Sequence, residues 1–557
     1  MKSTIFFMIY STVLLSFSAC SSDDTEELTE NFRLVTTYLS YSESSNTYKK
    51  NVPFSGGTYT LEIKASPSVK WNAVVTEGDI LTVSPQGEQQ GDGEINVTVA
   101  PNDERIPNKK GIVHIQNNVN DTKYTVTFIQ TEKKLIFPNG LEGQSEEDFY
   151  KGSSQWNVNY MLEGEDIAIL WDRKFGKNPK VGNPVVSRRF DPGMLMKAAQ
   201  DAYNFIRQEL KFATKPSTRA DECKFLLLVR NDDQTSAVGG GYGNVPVLWL
   251  SPAHAHDSFD PNFKYVYHEL CHCFQSIAHY DGASKLKAVG KDNVSSFAEM
   301  TSQWVLLRRY PDWMHQEPNH FNDYMKHTHL ALGHVENAYC NPYILEYWAT
   351  KRGVDFIAHI WQNASEADGG NFIKAYKRLS AIGQETFNEE IYEAASRFVT
   401  WDLPHIDKEY NKYGARNAHL CELVKGQDKR YQISGICCPQ NYGYNAICLK
   451  NFKPDAEVSI DFEGILDNKD FNIKRKEEAE WHWGFVASLK DGTRVYSNKT
   501  GVGTSGGLSF KVPANTKYLW LVVAATPKSY WNEFGNEWPY QFLLTGAEPD
   551  SDKCIIR

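Results

Sequence analysis

His268 and His272 stand four residues apart, with Glu269 directly after the first, in the run Tyr267-His268-Glu269-Leu270-Cys271-His272-Cys273-Phe274-Gln275. On a helix that spacing stacks the two imidazoles one turn apart on one face, so both can reach a single ion. Neutral imidazole nitrogens joined by a third protein ligand hold zinc while leaving a position open for water. The Glu269 carboxylate sits beside the first histidine and is placed to take a proton from that water. The ion lowers the pKa of such a water towards ~7 and polarises a carbonyl. The spacing therefore points to metal-assisted hydrolysis.

Such a site needs a buried helix to hold it. Phe263, Val266, Leu270 and Phe274 recur at helical spacing, and neither Pro nor Gly interrupts the run from Phe263 to Tyr280. Upstream lie an apolar run Phe225–Val229, the glycine loop Gly239-Gly240-Gly241-Tyr242-Gly243 and a second apolar run Val245–Leu250. The stretch 239–250 is an edge-strand candidate that an extended peptide would pair with. Helical periodicity then recurs over 262–279, 296–309, 342–351, 354–363, 371–379 and 388–399.

The motif and its context resemble the zincin superfamily of metallopeptidases. The resemblance implies a central α+β zincin-like domain, Zn2+ as cofactor, His268 and His272 as metal ligands and Glu269 as the catalytic base. A metzincin-type site would need Gly where Gln275 stands and His in place of Ala278, and His279 misses by one residue. A gluzincin-type site takes its third ligand from a Glu on a following helix. That resemblance assigns the metal-binding role to Glu299, in Ser296-Phe297-Ala298-Glu299-Met300. Ser296 and Glu299 also have the spacing of a capping box, and Asp292 is the alternative acidic ligand. The stretch from Tyr339 to Gly353 resembles the helix that carries the oxyanion-stabilising tyrosine in aminopeptidase-like gluzincins. It assigns that catalytic role to Tyr339, with Tyr343 in reserve. His254 and His256 form a further H-x-H pair, and Cys271 and Cys273 flank the second histidine as small buried residues.

At 557 residues the chain is too long for one core and is expected to be multidomain. A net charge of −10, with no basic stripe interleaved with aromatics, excludes a nucleic-acid partner. Residues 1–19 read as a signal peptide: Lys2, a short apolar stretch from Ile5 to Phe17, then Ser18-Ala19 before Cys20. The Cys after that small pair resembles a bacterial lipobox, which implies lipidation at Cys20. The acidic linker 20–32 resembles the surface-export signal of Bacteroidetes lipoproteins. The implied location is the outer membrane, lipid-anchored and exposed at the cell surface.

Residues 33–132 alternate apolar and polar in short runs, the pattern of an N-terminal β-sandwich. The order Phe54-Ser55-Gly56-Gly57-Thr58, Trp71, Val83-Ser84-Pro85, Gly93, Arg105, Gly111 and Gln130 resembles the BACON module of Bacteroidetes surface proteins. Carbohydrate binding or a spacer role is what that resemblance implies, and Trp71 reads as either a sugar platform or core. The zincin-like domain occupies 135–425, and strand patterns return over 430–546 as a C-terminal β-sandwich. Trp481, Trp483, Trp520, Trp531 and Trp538 crowd that last region, as core or as a glycan platform. The other cysteines are sparse and irregular, so they form no disulfide framework whose pairs can be assigned from sequence. The expected substrate is an extracellular protein or glycoprotein. The rival reading is a non-catalytic glycan- or host-protein-binding lipoprotein on a degenerate zincin fold.

Overall fold

The computed structural model describes residues 32–35, 39–42, 47–52, 54, 56–104, 106, 108–118, 122–214, 218–282, 285–286, 294–406, 408, 419–530 and 535–557. The expected signal peptide, Cys20, nearly all of the 20–32 linker, Arg105, Asp292 and Trp531 lie outside them. Among the described residues no helix is long and apolar enough to cross a membrane.

Strict alternation builds the first module. Leu61 and Ile63, Ile95 and Val97, Val113 and Ile115, and Val126 and Phe128 turn inward from four strands while their neighbours are more exposed. One sheet runs in the order Phe32–Val35, Gly57–Ala65, Gly93–Val99, Leu81–Ser84. The other runs Ser40–Ser42, Thr47–Val52, Lys123–Gln130, Lys109–Asn117, Lys70–Glu77, Gln89–Gln90. Their inner faces share one core. Trp71 belongs to that core, 1% exposed, with its indole N–H donating to the Gly91 carbonyl at 2.7 Å. It offers no face to a sugar.

The central region is built on a sheet in the order Met161–Glu163, Ile167–Trp171, Phe225–Val229, Val245–Leu250, Ala237–Tyr242. The inner three strands are parallel and both outer pairings antiparallel. Continuous apolar runs such as Phe225–Val229 are buried along their whole length because both sheet faces are covered. The parallel step from Ile167–Trp171 to Phe225–Val229 requires a crossover, supplied by the helix Pro192–Asn204. Asp191 caps that helix by accepting from the Gly193 amide at 2.9 Å, with Pro192 at its first position. The glycines from Gly239, read as a loop and as part of the edge-strand candidate 239–250, lie mostly in the edge strand Ala237–Tyr242. Val245–Leu250 fixes their register, and only Gly243-Asn244 turn between the two.

The helices that follow are Lys264–Tyr280, Val294–Arg309, Pro318–His327, Tyr343–Arg352, Phe356–Asn363, Phe372–Leu379 and Gln384–Phe398, joined by shorter turns. Two more sheets then stack on one another. The first runs Ser505–Lys511, Glu457–Gly464, Tyr540–Thr545, Tyr431–Ile433, Glu422–Lys425, Ile555–Ile556. The second is centred on Trp481–Leu489 and Thr516–Ala525. These sheets take in strands on both sides of 430–546. Trp481, Trp483 and Trp538 fill the core between them, and Trp520 is 4% exposed on the face turned to the helices. None of these four indoles is displayed as a glycan platform.

Candidate metal centre

The helix Lys264–Tyr280 starts where Asp260 accepts from the Lys264 and Tyr265 amides, both at 2.9 Å. Burial pushes the Asp260 carboxyl up to about 7 against those hydrogen bonds. Val266, Leu270, Phe274 and Ile277 bury one side of this helix in the body's main core. Cys273 donates to the Val247 carbonyl at 3.4 Å and Cys271 accepts from Gln275 at 3.3 Å, so both thiols face packing partners.

His268 and His272 project from the opposite side, towards the helix Val294–Arg309. His268 Nε2 lies 3.1 Å from Glu299 Oε2, His272 Nε2 lies 3.3 Å from the same oxygen, and the two ring nitrogens are 3.2 Å apart. The structure thus brings together two imidazole nitrogens and one carboxylate oxygen, the donor set that suits zinc. Burial opposes charge on both partners, but their mutual attraction prevails. The two histidines hold the Glu299 carboxyl well below the usual range, and Glu299 raises His272. Ser296 and Glu299 both lie inside the helix Val294–Arg309, so Glu299 is not the carboxylate of a capping box.

Glu269 points past His268 to the edge strand, where its Oε2 accepts from the Gly239 amide at 2.6 Å. Glycine is required there. A Cβ on Gly239 would sit 1.9 Å from the Glu269 carbonyl oxygen, and one on Gly241 would sit 2.2 Å from the Tyr280 hydroxyl. The bare strand therefore lies directly against the motif helix.

Tyr339 stacks on His268 with ring centres 6.1 Å apart and is 48% exposed. Burial of its hydroxyl and the neighbouring Glu299 raise its pKa. Tyr343 is instead fully buried among Tyr324, Phe398 and Trp401. His254 is buried against Tyr265, with ring centres 4.1 Å apart, and stands outside the His268, His272, Glu299 cluster. His279 stands beside Trp361, and both line the cavity into which the cluster opens.

Two residues here carry no spacing signal in the sequence. Gln275 Oε1 accepts from His272 Nδ1 at 2.9 Å, while its amide donates to the Ala298 carbonyl at 3.0 Å. It fixes the imidazole orientation, presents Nε2 to the cluster and ties the two helices together. His320, from the helix Pro318–His327, stacks on Tyr339 at 6.3 Å and lines the cavity. That cavity measures about 750 Å³ and includes Gly239, Phe259, Tyr265, Trp313 and Tyr339 in its wall.

A family model described as "Family of unknown function (DUF6055)" matches residues 127–551. No curated protein matches the chain. Among solved structures, WR4, a C. elegans MSP family member, is 19% identical, with 15% of this chain and 92% of that one covered and a TM-score of 0.13. A Bacteroides ovatus GH5 xyloglucanase in complex with a XXXG heptasaccharide is 11% identical, with 50% and 61% covered and a TM-score of 0.15. Scores this low define no shared fold.

Proposed function

We propose that this chain, which belongs to the DUF6055 family, is a zinc-dependent peptidase of the gluzincin-like kind that acts on extracellular proteins or glycoproteins. One observation carries the reading: His268, His272 and Glu299 offer three ligand atoms within 4.8 Å of one another, with Glu269 beside them in an open cavity. A zinc ion held there would supply Lewis acidity to a scissile carbonyl and lower the pKa of water. Glu269 takes the water's proton and passes it to the leaving amine, its carboxylate aimed by the Gly239 amide. Tyr339 stands over His268, where its hydroxyl donates to the oxygen that gains charge. An extended peptide lies along Ala237–Tyr242, the outermost strand of its sheet among the described residues. Lipid attachment at Cys20 and display at the outer-membrane surface complete the proposal, with carbohydrate as a further partner if the first module binds it.

The test is Glu269→Gln in the full chain, with metal analysis and a peptide-library digest. Zinc at wild-type stoichiometry with turnover reduced at least ~10²-fold is expected, since the ligands remain and the proton acceptor is gone. Zinc binding without cleavage by the wild-type chain favours the non-catalytic alternative.

A further inference from the structure

The last strand of the chain, Ile555–Ile556, is two residues long and lies at the edge of its sheet beside Glu422–Lys425. The pair is parallel, with Glu422 opposite Ile555 and Leu423 opposite Ile556. Carrying the register back one residue sets Cys421 opposite Cys554. The backbone confirms the alignment, because the Ile555 amide donates to the Cys421 carbonyl at 2.9 Å. Neighbouring strands run ~4.8 Å apart, inside the ~4.4–6.8 Å range of Cα separations that a disulfide spans. Both side chains are buried, 2% and 4% exposed, in the same core. The Cys554 thiol also lies 4.0 Å from the Cys448 carbonyl, and in the central body Cys223, Cys273 and Cys340 likewise donate to the carbonyls of Arg219, Val247 and Glu336.

We propose that Cys421 and Cys554 are an oxidation site that forms a disulfide, closing the C-terminal pair of sheets into one covalent loop. The oxidant is a disulfide, either a small molecule or a thiol–disulfide oxidoreductase. The thiolate of one cysteine attacks the oxidant's disulfide, giving a mixed disulfide and one released oxidant thiolate. The second cysteine thiolate attacks the protein sulfur of that mixed disulfide, forming the Cys421–Cys554 bond and releasing the other oxidant thiolate. Two protons from the cysteines end on the two released thiols, so two electrons pass to the oxidant. Because both thiols are buried, reaction occurs while the short terminal strand is undocked, and the bond then holds that strand in place. The bond also restricts the unfolded chain across a long loop, which raises stability. This site is independent of the metal centre.

The test takes the full chain through a glutathione redox couple, quenches it with acid, unfolds it in denaturant with an alkylating agent and maps the peptides. A peptide pair linking Cys421 to Cys554 is expected, lost on reduction. The oxidised chain should melt roughly 5–10 °C above the reduced one. Cys421→Ser and Cys554→Ser should each melt near the reduced wild type and be insensitive to reductant. If either variant fails to fold, the wild-type map decides alone. Alkylation of both cysteines after the oxidising treatment overturns the proposal, as does a linkage joining Cys554 to Cys437 or Cys448 instead.

Discussion

His272 is held from two directions, by Gln275 at Nδ1 and towards Glu299 at Nε2. The first contact sets which nitrogen faces the cluster, and the second supplies the anionic oxygen that completes it. Replacing that oxygen by a neutral amide removes charge from the donor set while keeping its shape. Glu299→Gln should therefore weaken zinc binding more than ~100-fold, beyond the cost of losing an outer hydrogen bond. His272→Ala should do the same, both read by metal analysis after dialysis. Thermal melting of the metal-free forms checks that neither variant has unfolded. Full zinc content in Glu299→Gln alongside loss in His272→Ala would move the third ligand elsewhere, with His279 and Asp292 next to be tried. Histidine protonation competes with metal, so affinity should fall as pH drops through the His range.

The edge strand Ala237–Tyr242 and the motif helix form one unit, because glycine lets them touch backbone to backbone. Gly239 carries the tightest approach, and its amide is also what aims Glu269. Gly239→Val should push the strand from the helix, costing roughly 1–3 kcal/mol as overpacking does. It should also lower turnover by disturbing the Glu269 carboxylate. Gly240→Ala is the control. Its Cβ would meet nothing nearer than Ser276 Oγ at 3.8 Å, so its stability should stay within about 0.5 kcal/mol of wild type. Equal melting of the Gly239 variant and the control would refute the close approach.

The three regions of the chain are joined by packed interfaces. Lys133 follows the first module's last strand almost at once and pairs with the buried Asp166, while the Tyr203 hydroxyl accepts from it at 2.8 Å. Lys50, from the strand Thr47–Val52, reaches Asp221 of the body at 3.4 Å, and Asp221 also pairs with Arg207. On the far side, Asn388 donates to the Thr526 carbonyl at 3.0 Å, and Trp520 and Val522 pack into the body's own core. Burial disfavours charge on Asp221, but Arg207, Lys50 and Lys133 outweigh it and hold its carboxyl well below the usual range. A depressed carboxyl contributes stability that is present above its unfolded pKa of ~3.9 and lost as pH falls through its folded value. Asp221→Asn leaves Lys50 and Arg207 without their shared anion and should cost about 3–5 kcal/mol at neutral pH. Its stability should also fall less than the wild type's on acidification below about pH 4. Identical acid denaturation of the two chains would show that the network does not join the module to the body.

The first module's alternation and the all-apolar runs Phe225–Val229 and Val245–Leu250 were legible as strands, because period and burial leave a local trace in residue order. His268, Glu269 and His272 were legible too, since a helix turns their spacing into a shared direction. The convergence of Glu299 was open between ligand, cap and Asp292. What excludes the cap is the placement of Ser296 and Glu299 within the helix, a matter of where that helix begins. The glycine run read both as a loop and as part of an edge-strand candidate, because the partner strand and the helix that decide between them are tertiary neighbours. Gln275 and His320 left no pattern, since each acts through a contact made only when separate helices pack. The same holds for Trp71, Trp481, Trp483 and Trp538: an indole has one composition whether it faces solvent or core, and only the closing of two sheets over it settles which.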